Sequence, residues 1–131
     1  MATQGRKKTG VKIVEVPSVD QYGHKQPQSL DMEEAVIGAL LVDQEAYALV
    51  AEILKPESFY DKRNQLIFKS IQELNVEQRP VDIMTVQEQL EHNGELEEAG
   101  GAPYIMQINM KIGSSAHVEY YAKVIAQKSL A

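Results

Sequence analysis

The sequence predicts an all-α protein: a compact bundle of six or seven short helices behind a disordered N-terminal arm. Three observations carry that expectation. From Ser29 onward apolar residues recur at three-, four- and five-residue spacing, the signature of helices with one buried face. Capping and breaking residues, among them Asp43, Pro56, Asn93-Gly94 and Gly100-Gly101, divide this pattern into short segments. Beyond the arm no stretch alternates with the period of a strand, and no internal repeat is present.

The elements follow in order. Residues 1–28 are rich in Gly, Lys, Gln and Pro, with only the short alternation of Val11, Ile13 and Val16 before Pro17, and read as a flexible basic arm. Met32, Val36, Ile37, Leu40 and Leu41 make the stripe of a first helix, with Ser29 or Asp31 as its cap. Gly38 within it suits a close approach of another helix. Asp43 caps a second helix carrying Ala46, Val50, Ile53 and Leu54, which Pro56 ends. A third runs from Asp61 to Val76 with Leu66, Ile67, Ile71 and Leu74 inward. Phe59, Tyr60 and Phe68 are assigned to the core, and the adjacent Ile67 and Phe68 make this helix central.

After the Arg79-Pro80-Val81-Asp82 turn, Thr85-x-x-Glu88 reads as a capping box for a fourth helix that stops at Asn93-Gly94. Pro103 suits the first position of a fifth helix, with Tyr104, Ile105, Ile108 and Ile112 inward. Ser114-Ser115 caps a last helix with Val118, Tyr121, Ala122 and Ile125 on one face.

Composition narrows the function classes. The 131 residues are 44% hydrophobic, enough for one core without disulfide or metal support. The absence of cysteine excludes disulfides, thiolate zinc sites, iron–sulfur clusters and cysteine nucleophiles, and fits a reducing compartment, with the cytoplasm expected. No apolar run is long enough to span a bilayer, and the first twenty residues lack the apolar core of a secretory signal. The net charge of −6 is uneven: residues 1–28 carry five basic residues against Glu15 and Asp20, and the remainder eight against seventeen acidic ones. Phosphate would repel such a body, so the folded part is expected to meet protein and not nucleic acid or membrane. The run Arg6 to Lys8 reads as a solubilising tail.

No catalytic or cofactor signature has the required spacing. The glycine-rich stretch Gly94 to Gly101 contains Glu95, Glu97 and Glu98, which would repel a phosphate. His24, His92 and His117 lack metal-ligand spacing, the pairs Glu33-Glu34 and Glu97-Glu98 point to different sides of a helix and read as solubilising, and Ser114 and Ser115 read as caps. No catalytic, cofactor-binding or metal-ligating residue is therefore assigned. A helix-turn-helix DNA binder is the alternative the charge argues against; an unrecognised small helical enzyme is another.

The order of the motifs says more. Pro27-x-Ser29-Leu30-x-x-Glu33-x-x-Val36-Ile37-Gly38-Ala39-Leu40-Leu41 is followed by Phe59-Tyr60, Ile67-Phe68 and Pro80-Val81-Asp82 with Thr85 and Leu90. Then come Gly94-x-Leu96-x-x-x-Gly100-Gly101-x-x-Tyr104 and Ala116-x-Val118-x-x-Tyr121-Ala122. This series resembles the N-terminal domain of the DnaB-type replicative helicases of bacteria over residues 27–131. Two positions depart from the pattern: His117 stands where the family commonly has Asn, and Met32-Glu33 where it has Ala-Glu.

The resemblance implies a helical collar domain at 29–131. In the family such a domain precedes a RecA-like ATPase domain, expected to lie outside this chain and to hold ATP and Mg. It further implies a hexamer built as a trimer of dimers, unwinding DNA 5′ to 3′, with primase docked on the collar. The last helix is then the truncated start of a helical hairpin. Its stripe of Val118, Tyr121, Ala122 and Ile125, lacking the second hairpin helix, is the expected interface of a weak dimer.

Overall fold

The computed structural model describes residues 27–111 and 115–130, with side chains from Leu30 on; residues 1–26, which hold nearly all of the arm, and Ile112, Gly113, Ser114 and Ala131 lie outside the described residues. Among the described residues six α-helices follow one another: α1 Pro27–Val42, α2 Ala46–Val50, α3 Lys62–Val76, α4 Ile83–His92, α5 Gly101–Lys111 and α6 Val118–Ser129. A 3-10 turn, Pro56–Ser58, stands between α2 and α3, and no strand occurs among the described residues.

Helix α1 begins at Pro27, so Ser29 and Asp31 lie inside it and not at its N-cap. Proline suits a helix start because its missing N–H would be unpaired there in any case. The helix therefore starts two residues before Ser29. Val36, Ile37, Ala39, Leu40 and Leu41 are all nearly inaccessible, and Gly38 is buried among them. A helix buried this far round needs neighbours on several sides, and α1 packs against α2, α3, α5 and α6. It is α1, more than α3, that occupies the centre.

Helix α2 ends earlier than expected. The Val50 carbonyl accepts from both Ile53 N (2.9 Å) and Leu54 N (3.0 Å), which tightens the chain into a turn six residues before Pro56. Asp43 turns the chain ahead of the helix: its Oδ1 accepts from Glu45 N at 2.9 Å. Leu66, Ile67, Phe68, Ile71 and Leu74 of α3 are buried as the spacing predicts. Phe59 and Phe68 meet with centroids 5.2 Å apart, a tilted pair at the middle of the core. Tyr60 is 47% exposed, because the chain turns into α3 at that residue and points its ring outward.

The capping box of α4 sits one turn before its predicted place. Asp82 is the N-cap, accepting from Met84 N and Thr85 N at 2.9 Å each, and Thr85 Oγ1 accepts from Asp82 N at 2.9 Å. Thr85 is thus the responding member of the box and not the cap. Pro103 lies in the first turn of α5 but at its third residue. At the start of α6, Ser115 does not cap: its hydroxyl donates to Asp43 Oδ2 at 2.6 Å, and His117 holds the N-cap position without a side-chain bond.

Three successive elements end in the same way. In α3, Arg79 N bonds to Leu74 O (2.9 Å) and Gln78 N to Asn75 O (3.0 Å). In α4 the pair is Glu95 N to Leu90 O (2.8 Å) and Gly94 N to Glu91 O (3.0 Å). Before α5 it is Gly101 N to Leu96 O and Gly100 N to Glu97 O. This paired bonding satisfies the last carbonyls and requires a left-handed residue. Glycine supplies it at 94 and 100, with φ +72° and +97°, but Gln78 does so at φ 59° with a side chain that disfavours the conformation. Replacing Gln78 with Gly should therefore stabilise the domain by about 0.5–1 kcal/mol, the left-handed cost less the extra freedom glycine gives the unfolded chain. Urea denaturation measures it, and a loss of stability would contradict this account.

Candidate interaction surface

The residues singled out as possible chemistry are placed by the helices as follows. His92 ends α4 on the surface; His117 starts α6, its ring 6.2 Å from that of Tyr121; His24 and Ser114 lie outside the described residues. Glu97 and Glu98 are exposed in the turn before α5. Glu34 pairs with Lys111 Nζ at 2.5 Å, tying α1 to the end of α5. Among the described residues no group of His, Asp and Glu is arranged to hold a metal.

Glu33 departs from expectation altogether. Its sequence position suggests a solubilising surface residue, yet it is fully buried. Its Oε2 accepts from Tyr60 N at 2.7 Å, and its Oε1 from Asp61 N at 3.3 Å and Asn64 Nδ2 at 3.0 Å. The carboxylate thus lies at the N-terminus of α3, where the helix presents unpaired amides and a partial positive charge. Asp61 adds a second carboxylate there, accepting from Arg63 N at 2.9 Å and pairing with the Arg63 guanidinium at 2.6 Å. Tyr104 of α5 closes the group: its hydroxyl donates to Asn64 Oδ1 at 2.7 Å, and Arg63 stacks 3.8 Å above its ring centre. Burial pushes the Tyr104 phenol well above its ordinary range. Spacing alone had no signal for this, since Glu33 and Glu34 look alike in sequence; the only hint was a carboxylate on the edge of the first apolar stripe.

The predicted interface stripe on α6 also changes meaning. Val118, Ala122 and Ile125 are at most 2% exposed, packed where α6 meets α1 and α2. They are packed into the core of this chain. Helix α1 itself packs over the stripe. Tyr121 is half-buried at the edge, and beside it Tyr120 is 62% exposed, the two rings 5.9 Å apart. What α6 offers outward is an aromatic row of His117, Tyr121 and Tyr120 bordered by Glu119 and Lys123.

The glycines of the glycine-rich stretch use their own amides within the fold. Those of Gly94, Gly100 and Gly101 are all taken by helix-ending bonds, with Glu95, Glu97 and Glu98 around them. What remains is a scaffold with surfaces, and comparison with known proteins says which. The family model described as the DnaB-like helicase N-terminal domain matches residues 25–127. The chain belongs to that family.

The DnaB-like domain is 46% identical over 110 residues to the replicative DNA helicase DnaB of Rhodothermus marinus, covering 84% of this chain and 12% of that protein. Against the replicative DNA helicase DnaC of Bacillus subtilis it is 36% identical over 104 residues, 79% of this chain and 23% of that one. The crystal structure of the N-terminal domain of DnaB helicase from Mycobacterium tuberculosis superposes with a TM-score of 0.75 at 32% identity, covering 88% of this chain and 76% of that chain. The chain thus spans between about an eighth and a quarter of the length of these two curated relatives. The all-helical fold expected from the sequence is the fold of the family. No described helix is long and apolar enough to cross a membrane.

Two outcomes test the polar group. Glu33→Ala strands three donors in the core and should cost roughly 3–5 kcal/mol in urea denaturation, Glu33→Gln clearly less because one acceptor stays; a loss under about 1 kcal/mol for Ala would sink this account. The second concerns acid. The bond from Arg63 holds the Asp61 carboxyl below its ordinary value; burial pushes Glu73 up, but Asn93 and Gln89 amides with Lys69 and His92 outweigh it and the net is downward. Groups lowered on folding stabilise the protein fully above their unfolded values, near 3.8 and 4.5, and lose that contribution as pH falls through the folded ones. The melting temperature should hold from neutrality to about pH 5 and fall below about pH 4, less steeply in Asp61→Asn. A profile flat throughout would refute it.

Proposed function

We propose that this domain is the non-catalytic assembly part of a hexameric replicative DNA helicase. In this reading a motor domain outside this chain binds ATP and Mg and drives 5′ to 3′ unwinding in the cytoplasm. The domains here form a collar, a trimer of dimers that docks primase. The observation that carries the reading is the family match over nearly the whole chain, together with the small share of the helicase relatives it covers. The consumption of the glycine amides in helix ends supports a division of labour in which nucleotide chemistry happens elsewhere.

With Val118, Ala122 and Ile125 in the core, the dimer contact falls to the outward side of α6, where Tyr120 stands beside Tyr121. A small apolar patch gains about 25 cal/mol per Å² buried, while association costs about 4–15 kcal/mol in lost freedom, so the dimer of this chain alone is weak. Sedimentation over a range of concentrations should show a monomer–dimer equilibrium without hexamer. Tyr120→Asp should shift it to monomer and leave the melting temperature unchanged; Tyr121→Asp is a poorer variant because that ring is half in the core. A stable hexamer of this chain, or a dimer indifferent to Tyr120→Asp, would overturn the assignment. Primase should co-elute with the six-subunit protein and cease to do so when residues 27–130 are deleted.

A further inference from the structure

Asn93-Gly94 is the one Asn-Gly step among the four asparagines of the chain, followed by other residues at Asn64, Asn75 and Asn109. In such a step the glycine amide nitrogen can attack Cγ of the preceding side chain, since no Cβ obstructs its approach. The new N–C bond forms as the side-chain nitrogen departs as ammonia, taking the proton of the attacking amide, and a five-membered succinimide results. Water then opens that ring at one carbonyl or the other, giving aspartate or isoaspartate. Water is the sole co-reactant.

Both reacting groups are engaged in hydrogen bonds here. The Gly94 N–H donates to Glu91 O at 3.0 Å, and Asn93 keeps helical backbone angles, φ −78° and ψ −7°. Its side-chain Nδ2 donates to Glu73 Oε1 at 2.8 Å, the same oxygen that accepts from Gln89 Nε2 at 2.9 Å. One carboxylate of α3 therefore fastens the last turn of α4. Gly94 is exposed and His92 beside it is exposed, so the turn is open to solvent once it frays.

We propose that Asn93 is a site of spontaneous succinimide-forming modification, held latent by Glu73 and released when the last turn of α4 opens. The products prevent the turn from closing again in the same way. Aspartate at 93 replaces a donating amide with a carboxylate facing Glu73 Oε1, and Lys69, whose charge acts on Glu73, is already paired with Glu95 at 2.9 Å. Isoaspartate lengthens the backbone by one methylene and breaks the spacing of the Glu95 N to Leu90 O bond. The partner class suited to the exposed product is an enzyme that methylates isoaspartyl carboxylates.

The whole chain, incubated in mildly alkaline buffer at body temperature with and without urea, is assayed by peptide mass mapping for the gain of about one mass unit that amide loss gives, with Asn75 and Asn109 as internal references. Loss at Asn93 should be at least about tenfold faster in urea than in the folded protein, because folded-state reaction needs the local opening. It should outrun both references in urea. Folded Glu73→Ala, or Glu73→Gln where Ala does not fold, should modify several-fold faster than the unaltered chain. Asn93→Asp should lower the melting temperature, and far less in the Glu73→Ala or Glu73→Gln background. Equal rates with and without urea, a faster reaction at Asn75 or Asn109, or an Asn93→Asp effect indifferent to residue 73 would overturn the proposal.

Discussion

A carboxylate with no access to water is tolerated only where hydrogen bonds replace its hydration, and Glu33 meets that condition by ending on the amides that open α3. The bonds fix where α1 stands relative to α3. Through Asn64 they extend to the Tyr104 hydroxyl, and so to α5. Tyr104 in turn lies so close to Gly100 that a Cβ there would be 2.7 Å from its own Cβ. The left-handed glycine that ends the preceding turn is thus also what lets the α5 tyrosine reach the polar group. Three helices and one turn take their relative positions from one acidic residue.

The remaining polar side chains follow the same logic at smaller scale. Ser58 accepts from Lys55 N, Ser70 donates to Ile67 O and Gln89 donates to Glu73, so with Glu33 and Asn64 every buried polar residue among those described has a structural partner. Gln44 donates to Val81 O at 2.7 Å and accepts from Val81 N at 3.3 Å, pinning the α1–α2 turn to the approach of α4. Ser115 and Asp43 fasten the start of α6 to the same region. This is the character of a scaffold, in which titratable groups hold elements together. It agrees with a family domain whose relatives are several times longer than this chain.

Closure of the core by α6 bears most directly on assembly. The helix gives its apolar edge to α1 and α2, and its outward side keeps Tyr120 with a Glu119–Lys123 ion pair at 3.6 Å. Such an exposed pair adds little stability, so the aromatic is the part of that surface with area to bury.

Helix existence, the inward faces of α3 through α5 and the helix end at Gly94 were legible from periodicity and from glycine's freedom, because these depend on residues a few positions apart. The family was legible from the order of motifs along the chain. Boundaries shifted where two local signals competed: Pro27 outranked Ser29 and Asp31, and Asp82 outranked Thr85, since either could supply the first-turn contact. The buried role of Glu33 and the inward turn of Val118, Ala122 and Ile125 were not legible. A carboxylate beside an apolar stripe is solvated or buried according to whether amides from a segment 27 residues away arrive to meet it. An apolar stripe is core or interface according to which surface reaches it first. Both are decided by contacts distant in sequence, and only the tertiary structure holds those.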